Sequence, residues 1–170
     1  SKVSIGLLAC GLFFMGQFAL FTYVRPFLES VTRVNDAGLS LILLAIGVAG
    51  FIGTLCVSTF LNVRFYQTLI TIPLLMAAIA GTLLLAGHSA WSVAFLLSLW
   101  GMLATAAPTG WWTWVARTLP ENAEAGGGLM VAVSKFSIAL GSTAGGLHFD
   151  SPGWRGAFGF SGLLMIGAVA

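Results

Sequence analysis

Long stretches without a single Asp, Glu, Lys or Arg constrain this chain more than any other feature. Val3 to Val24, Leu39 to Val63, Phe65 to Gly87 and Trp91 to Ala116 are each free of them. Each reaches the roughly 20 residues that cross a hydrocarbon core about 30 Å thick. Ala125 to Leu147 is a fifth such stretch, interrupted only by Lys135, and a sixth begins near Gly156 and is still apolar at Ala170. Of 170 residues, 58% are hydrophobic and 7% charged, where a soluble domain carries roughly a quarter charged. The expected fold is therefore an all-α polytopic membrane bundle. It forms a single unit over 1–170, with six spans at 3–24, 39–63, 65–87, 91–116, 125–147 and 156–170, the last cut short. A barrel strand needs only about 9–11 residues of alternating polarity, unlike these continuous runs. The first run is too long for a signal peptide and lacks a small-residue cleavage site before a soluble domain.

The connections read as short. The longest is Arg25 to Gly38, with Pro26, Asn35, Asp36 and Gly38 as boundary residues. Others fall at Asn62 and Arg64, at Gly87 to Ser89, at Arg117 to Gly128, and at His148 to Arg155, where Asp150 and Arg155 flank Pro152 and Gly153 and are placed to pair. Short links make sequential helices antiparallel and leave no room for a soluble domain. Positive charge does not orient the chain: Lys2, Arg64 and Arg117 fall on one side, Arg25, Arg33 and Arg155 on the other. A net charge of +2 is too small to argue for nucleic acid. Cys10 and Cys56 lie within spans and read as small apolar residues. His88 and His148 lie at span ends and read as solvated. No nucleophile–base pair, phosphate-binding loop or metal-spaced cluster is present in the sequence. The expectation is thus no enzyme, no cofactor and no metal.

The spans echo one another. Gly47, Gly50 and Gly53 in the second and Gly141, Gly145 and Gly146 in the fifth make small-residue stripes for close helix packing. The first and fourth are polar and aromatic near their ends, with Gln17, Tyr23 and Arg25 in one and Thr109, Trp112 and Thr113 in the other. The third and sixth look featureless and lipid-facing. Read twice, this is the three-plus-three organisation of many transporter halves. Gln17, Phe21 and Arg25 follow i, i+4, i+8 spacing and share one helix face. That face either lines a cavity, with Gln17 hydrogen bonding a polar solute, or packs on a neighbour while Arg25 snorkels to the interface. Thr105, Pro108, Thr109 and Trp112 form a second stripe on a helix that Pro108 can bend. Trp112 either stacks on a solute ring or belongs to an interfacial aromatic belt.

Specific stretches resemble a family. Gly16-Gln17-Phe18-Ala19-Leu20-Phe21-Thr22-Tyr23-Val24-Arg25-Pro26-Phe27-Leu28-Glu29 resembles the seventh helix of major facilitator superfamily transporters. The likeness is to the drug:proton antiporter-1 group and, within it, to bacterial purine-nucleoside and sugar efflux proteins. Gly145-Gly146-Leu147-His148-Phe149-Asp150 followed by Gly153-Trp154-Arg155-Gly156-Ala157-Phe158 resembles the turn before the last helix of a six-helix half. Trp100-Gly101, Pro108, Gly110-Trp111, Thr113-Trp114 and Arg117 resemble the tenth helix of the nucleoside exporters. The resemblance implies the C-terminal half of a twelve-helix transporter, an expectation with which the absence of a starting Met and the end inside an apolar run agree. It places Ser1, Arg64 and Arg117 in the cytoplasm. Asn62-Val63-Arg64-Phe65 departs from the Gly-x-x-x-Asp-Arg loop strong in N-terminal halves, which removes the basis for a gating ion pair there.

The implied function is export of a small polar or amphipathic solute, such as a purine nucleoside, sugar or drug, by proton antiport with alternating access across the bacterial inner membrane. The implied partners are an N-terminal six-helix half of the same polypeptide, the solute, protons and the bilayer. The pathway set is Gln17, Phe21, Tyr23, Arg25, Thr109, Trp112 and Lys135. Lys135 is placed deep in an apolar run, where a charge costs about 2.5–3.5 kcal/mol on insertion scales and usually marks a pathway. It is a solute contact, a proton-coupling amine or a structural cation. The rival reading is a self-contained six-helix channel or membrane-complex subunit.

Overall fold

The computed structural model describes residues 2–151 and 153–169, and these contain helices and no strand. Helix α1 (Lys2–Phe21) is followed by the short α2 (Val24–Phe27) and a wider π-helical turn, Leu28–Thr32. Then come α3 (Asp36–Val63), α4 (Phe65–Ala86) and α5 (Ala90–Thr118). A 3-10 turn (Pro120–Asn122) leads into α6 (Ala123–Asp150), and α7 (Trp154–Gly167) closes the described chain. Five stretches are long and apolar enough to cross a membrane: Lys2–Thr32, Asp36–Val63, Phe65–Ala86, Ala90–Thr118 and Pro120–Asp150. The chain is a multi-pass membrane protein by this measure. The expected sixth span is shorter, since α7 has 14 residues. It starts two residues early because Gly153, at φ 81°, supplies the left-handed entry. Ser1, Pro152 and Ala170, placed by the sequence at the first boundary, in the last turn and at the end of the sixth span, lie outside the described residues.

The expected linker from Arg25 is mostly helical. α1 breaks at Thr22 and Tyr23, whose amides bond to Phe18 O and Leu20 O at 3.3 and 3.0 Å. The chain then coils again, because Pro26 sits in the first turn of α2, where an N–H has no intrahelical acceptor. The helical run ends at Arg33, left-handed at φ 57°, with Val34 N donating to Leu28 O at 3.2 Å. That αL closure is the Schellman-type end a helix uses to satisfy its last carbonyls. α3 starts sharply because Asn35 Oδ1 accepts from Gly38 N at 2.8 Å.

Packing is pairwise. α3 lies along α5, and α1 lies along α6; α7 touches α1, α4 and α6, while α4 touches α5 and α7. Exchanging α1 with α5, α3 with α6 and α4 with α7 maps the first pair onto the second and leaves the α4–α7 contact in place. This is the pairing a three-plus-three repeat generates. The tight crossings occur at glycine. Gly53 abuts the Met102 backbone of α5, Gly141 abuts Met15 of α1, and a Cβ at Gly145 would lie 2.6 Å from Ala19 O. Gly50 faces Thr105 at 3.0 Å, and Gly146 abuts the Tyr23 hydroxyl. Gly47 departs from the expected stripe: it is exposed and meets nothing within 4 Å, because it points away from α5. Hydroxyl-to-carbonyl bonds add to these crossings: Thr105 to Gly50 O at 2.7 Å and Ser161 to Gly16 O at 2.6 Å.

Candidate solute pathway

Three sides of α1 are already occupied. Gly11, Met15 and Ala19 face Ser137, Gly141 and Gly145 of α6. Gly16 faces Ser161 and Leu164 of α7. Phe13 meets Trp111 of α5, ring centroids 6.3 Å apart. Gln17, one turn beyond Phe13 and Phe14, occupies the strip between the α5 contact at Phe13 and the α6 contact at Cys10, whose Sγ lies 3.8 Å from Ser134 Oγ. Gln17 is 9% exposed, and its Oε1 has no hydrogen-bond partner. Its neighbours one turn away are Phe13, Phe14, Leu20 and Phe21. A buried acceptor left unpaired costs about 1–3 kcal/mol, so a group donating into this strip would recover that energy. Phe21, 40% exposed, caps the strip and meets Phe18 edge-to-face at 6.3 Å.

Arg25 does not continue that face. The break at Thr22 and Tyr23 ends the single-helix register that i, i+8 spacing assumes. The Arg25 guanidinium instead pairs with Glu29 at 2.8 Å in an exposed position. Tyr23 is tied down: its hydroxyl donates to Ser142 O at 2.7 Å, and its ring stacks on Phe149 at 5.2 Å. Thr22 and Ser142 hydroxyls lie 2.9 Å apart beside it. This group fastens the end of α1 to α6.

On α5, Thr109 is half-buried and Trp112 is 47% exposed, three residues apart on one face. Trp112 lies against α6, where a Cβ at Gly127 would be 3.0 Å from its ring; a Cβ at Gly126 would be 2.7 Å from Leu119. α5 and α6 thus meet at this end of the strip. Lys135 is exposed on the side of α6 turned away from α1, and among the described residues it carries no ion pair or hydrogen bond. Gln17 and Phe21 thus share a face of α1 by i, i+4 spacing, and Thr109 and Trp112 a face of α5 by i, i+3 spacing, while Lys135 lies on another helix, on its side away from α1.

Several positions differ from the sequence reading. His148 is half-buried, its Nδ1 2.8 Å from Ala144 O and its ring stacked on Phe160 at 4.4 Å. It is a packed helix-end histidine because α7 folds back over it. Arg155 lies over the Trp154 ring at 5.4 Å, and no pair with Asp150 forms among the described residues. Trp100 is fully buried with an unpartnered Nε1; it shares the inward face of α5 with Trp111, three turns on. The featureless third span carries a polar line, Arg64, Gln67, Thr68 and Thr71, along a groove. Its i, i+3, i+4, i+7 spacing was legible in the sequence. No group of three metal-binding side chains occurs among the described residues.

Known proteins share this sequence along nearly its whole length. Over 164 residues the chain is 58% identical to a Pseudomonas aeruginosa protein named transcription regulatory protein OpdE. Over the same length it is 36% identical to the purine ribonucleoside efflux pumps NepI of Salmonella enteritidis and Salmonella typhimurium. Each match takes in 96% of this chain and 41% of the relative. No protein-family model and no solved structure matches the chain. The chain spans about two fifths of the length of the curated relatives it matches, and its all-helical membrane fold is accompanied by homology to nucleoside efflux pumps.

Proposed function

We propose that this chain is the C-terminal six-helix half of a major facilitator transporter of the drug:proton antiporter-1 group. It exports a purine nucleoside or a chemically similar solute across the bacterial inner membrane, by proton antiport with alternating access. The six spans are α1 with its extension to Thr32, α3, α4, α5, α6 and α7. The observation that carries the reading is the buried, unpartnered Gln17 Oε1, in a chain 36% identical to purine ribonucleoside pumps over 96% of its length. A solute N–H or O–H donates to that oxygen, replacing an unsatisfied acceptor with a made bond. The solute ring stacks on Phe21 or Trp112, an interaction worth about 1–3 kcal/mol per base. Thr109, on the Trp112 face, adds a hydroxyl. Lys135 couples the proton, and Tyr23 and Arg25 work at the pathway's end by latching α1 to α6 and to Glu29.

The test is growth of an exporter-deficient strain on graded toxic purine ribonucleosides, with the full-length protein supplied on a plasmid. Resistance is expected from the wild type and is lost with Gln17→Leu. Equal sensitivity with and without the wild-type protein defeats the proposal.

A second reading follows the name of the Pseudomonas relative, which describes a regulator of transcription. Export accounts for such an effect when the exported solute is itself an inducer of other genes. The two separate cleanly. A Gln17→Leu protein that has lost nucleoside resistance yet still alters transcription favours a direct regulatory role; loss of both effects together favours export.

A further inference from the structure

α3 and α4 are joined by Arg64 alone, yet they pack little on each other, since each leans on α5 instead. A groove of about 380 Å³ opens between them, within the size range of small-ligand sites. Its floor is Met102, Leu103 and Ala106 of α5, and its apolar walls include Phe60, Ile72 and Leu75. Polar groups are confined to the α4 side, at Gln67, Thr68 and Thr71, and to Arg64 at the hinge. Thr68 Oγ1 already donates to Arg64 O at 2.8 Å. Arg64 is exposed and has no acidic partner among the described residues. A second guanidinium lies at the same end: Arg117 sits 4.3 Å over the ring of Phe65, the residue next to Arg64. α4 has no acid in its first turn and no side-chain cap, so its leading amides add to that positive end.

We propose that this groove holds one anionic glycerophospholipid, its phosphate at Arg64 and Arg117 and one acyl chain between α3 and α4. Three features choose this occupant. The lining is basic at one end and apolar along the rest, the polarity of a lipid from headgroup to tail. From Arg64 to Leu75 the groove follows α4 for about 16 Å, close to one leaflet of a hydrocarbon core about 30 Å thick. Basic pockets between membrane helices are a recognised fit for anionic headgroups. The inference needs only that the helices span a membrane, so it stands or falls apart from the transport reading.

The test is native mass spectrometry of the delipidated full-length protein with phosphatidylglycerol, phosphatidylcholine or soluble glycerol phosphate added in turn. One phosphatidylglycerol is expected to be retained in preference to phosphatidylcholine. Arg64→Gln is expected to cut that preference about fivefold, the effect of about 1 kcal/mol per basic residue at a membrane surface. Cys56 is exposed in the groove wall, so Cys56→Trp fills it without entering the packed core and is expected to abolish retention. Equal retention of the two lipids overturns the proposal. So do retention unchanged by both variants, glycerol phosphate displacing the lipid at equal concentration (a headgroup site without a groove), and an absence of retained lipid because another segment of the polypeptide fills the groove.

Discussion

In the proposed export, Gln17 sets stability against function. Its buried Oε1 is unpaired, so replacing it by an apolar side chain of similar size removes a desolvation cost. Gln17→Leu is expected to raise stability by about 1 kcal/mol while lowering apparent solute affinity about tenfold. Thermal unfolding and transport kinetics of the full-length variant check both. A loss of stability would make Gln17 interhelical glue instead. The spacing of Gln17 and Phe21 was legible because an unbroken helix joins them. Arg25 was misplaced because the break at Thr22 and Tyr23 depends on local hydrogen bonding that no periodicity reports. Lys135 stood out in the sequence as a charge inside an apolar run, but only the fold shows it turned away from α1. For Lys135→Gln, the coupling role predicts export that survives and loses its dependence on the proton gradient, read as solute flux with and without that gradient. Export unchanged in both conditions makes it a passenger.

At the scale of helices, the glycines divide by what a methyl group would meet. Gly145→Ala places a Cβ against the α1 backbone, an overpacking expected to cost about 1–3 kcal/mol. Gly47→Ala meets open space and is expected to stabilise α3 by about 0.5–1 kcal/mol through backbone entropy. Unfolding midpoints of the two variants should move in opposite directions; a shared direction contradicts the packing of α1 on α6 described above. The sequence could pick out both stripes because small residues recur at helical spacing. It could not tell Gly47 from Gly50, because both recur at the same helical spacing and only the rotation of α3 against α5 turns Gly50 inward onto Thr105 and leaves Gly47 facing out. Tyr23→Phe removes the bond to Ser142 O and is expected to cost about 0.5–1.5 kcal/mol, measured the same way. Helices α3, α4 and α5 begin and end within three residues of charge-free runs, and α6 within three residues of a run broken only by Lys135. α7 starts two residues before the expected span, directly after the left-handed Gly153.

For the whole molecule, the pairing of α1 with α6 and α3 with α5 gives two similar three-helix units, and the strip around Gln17 lies along one of those pairs. Large apolar side chains such as Leu44, Val48, Phe51 and Leu55 remain exposed on α3, as expected of a surface covered by lipid or by further chain. The groove between α3 and α4 escaped the sequence reading because it arises from how two neighbours lean on a third helix, and the polar line on α4 had no meaning until that groove existed. The proposed export carries a purine nucleoside past Gln17. Its most direct measurement is uptake of radiolabelled inosine into inside-out membrane vesicles that contain the full-length protein and are energised to an acidic lumen. The account predicts accumulation that a protonophore abolishes and that Gln17→Leu reduces about tenfold at low inosine concentration. Vesicles that accumulate no inosine above a protein-free control, or accumulate it equally with Gln17→Leu, contradict it.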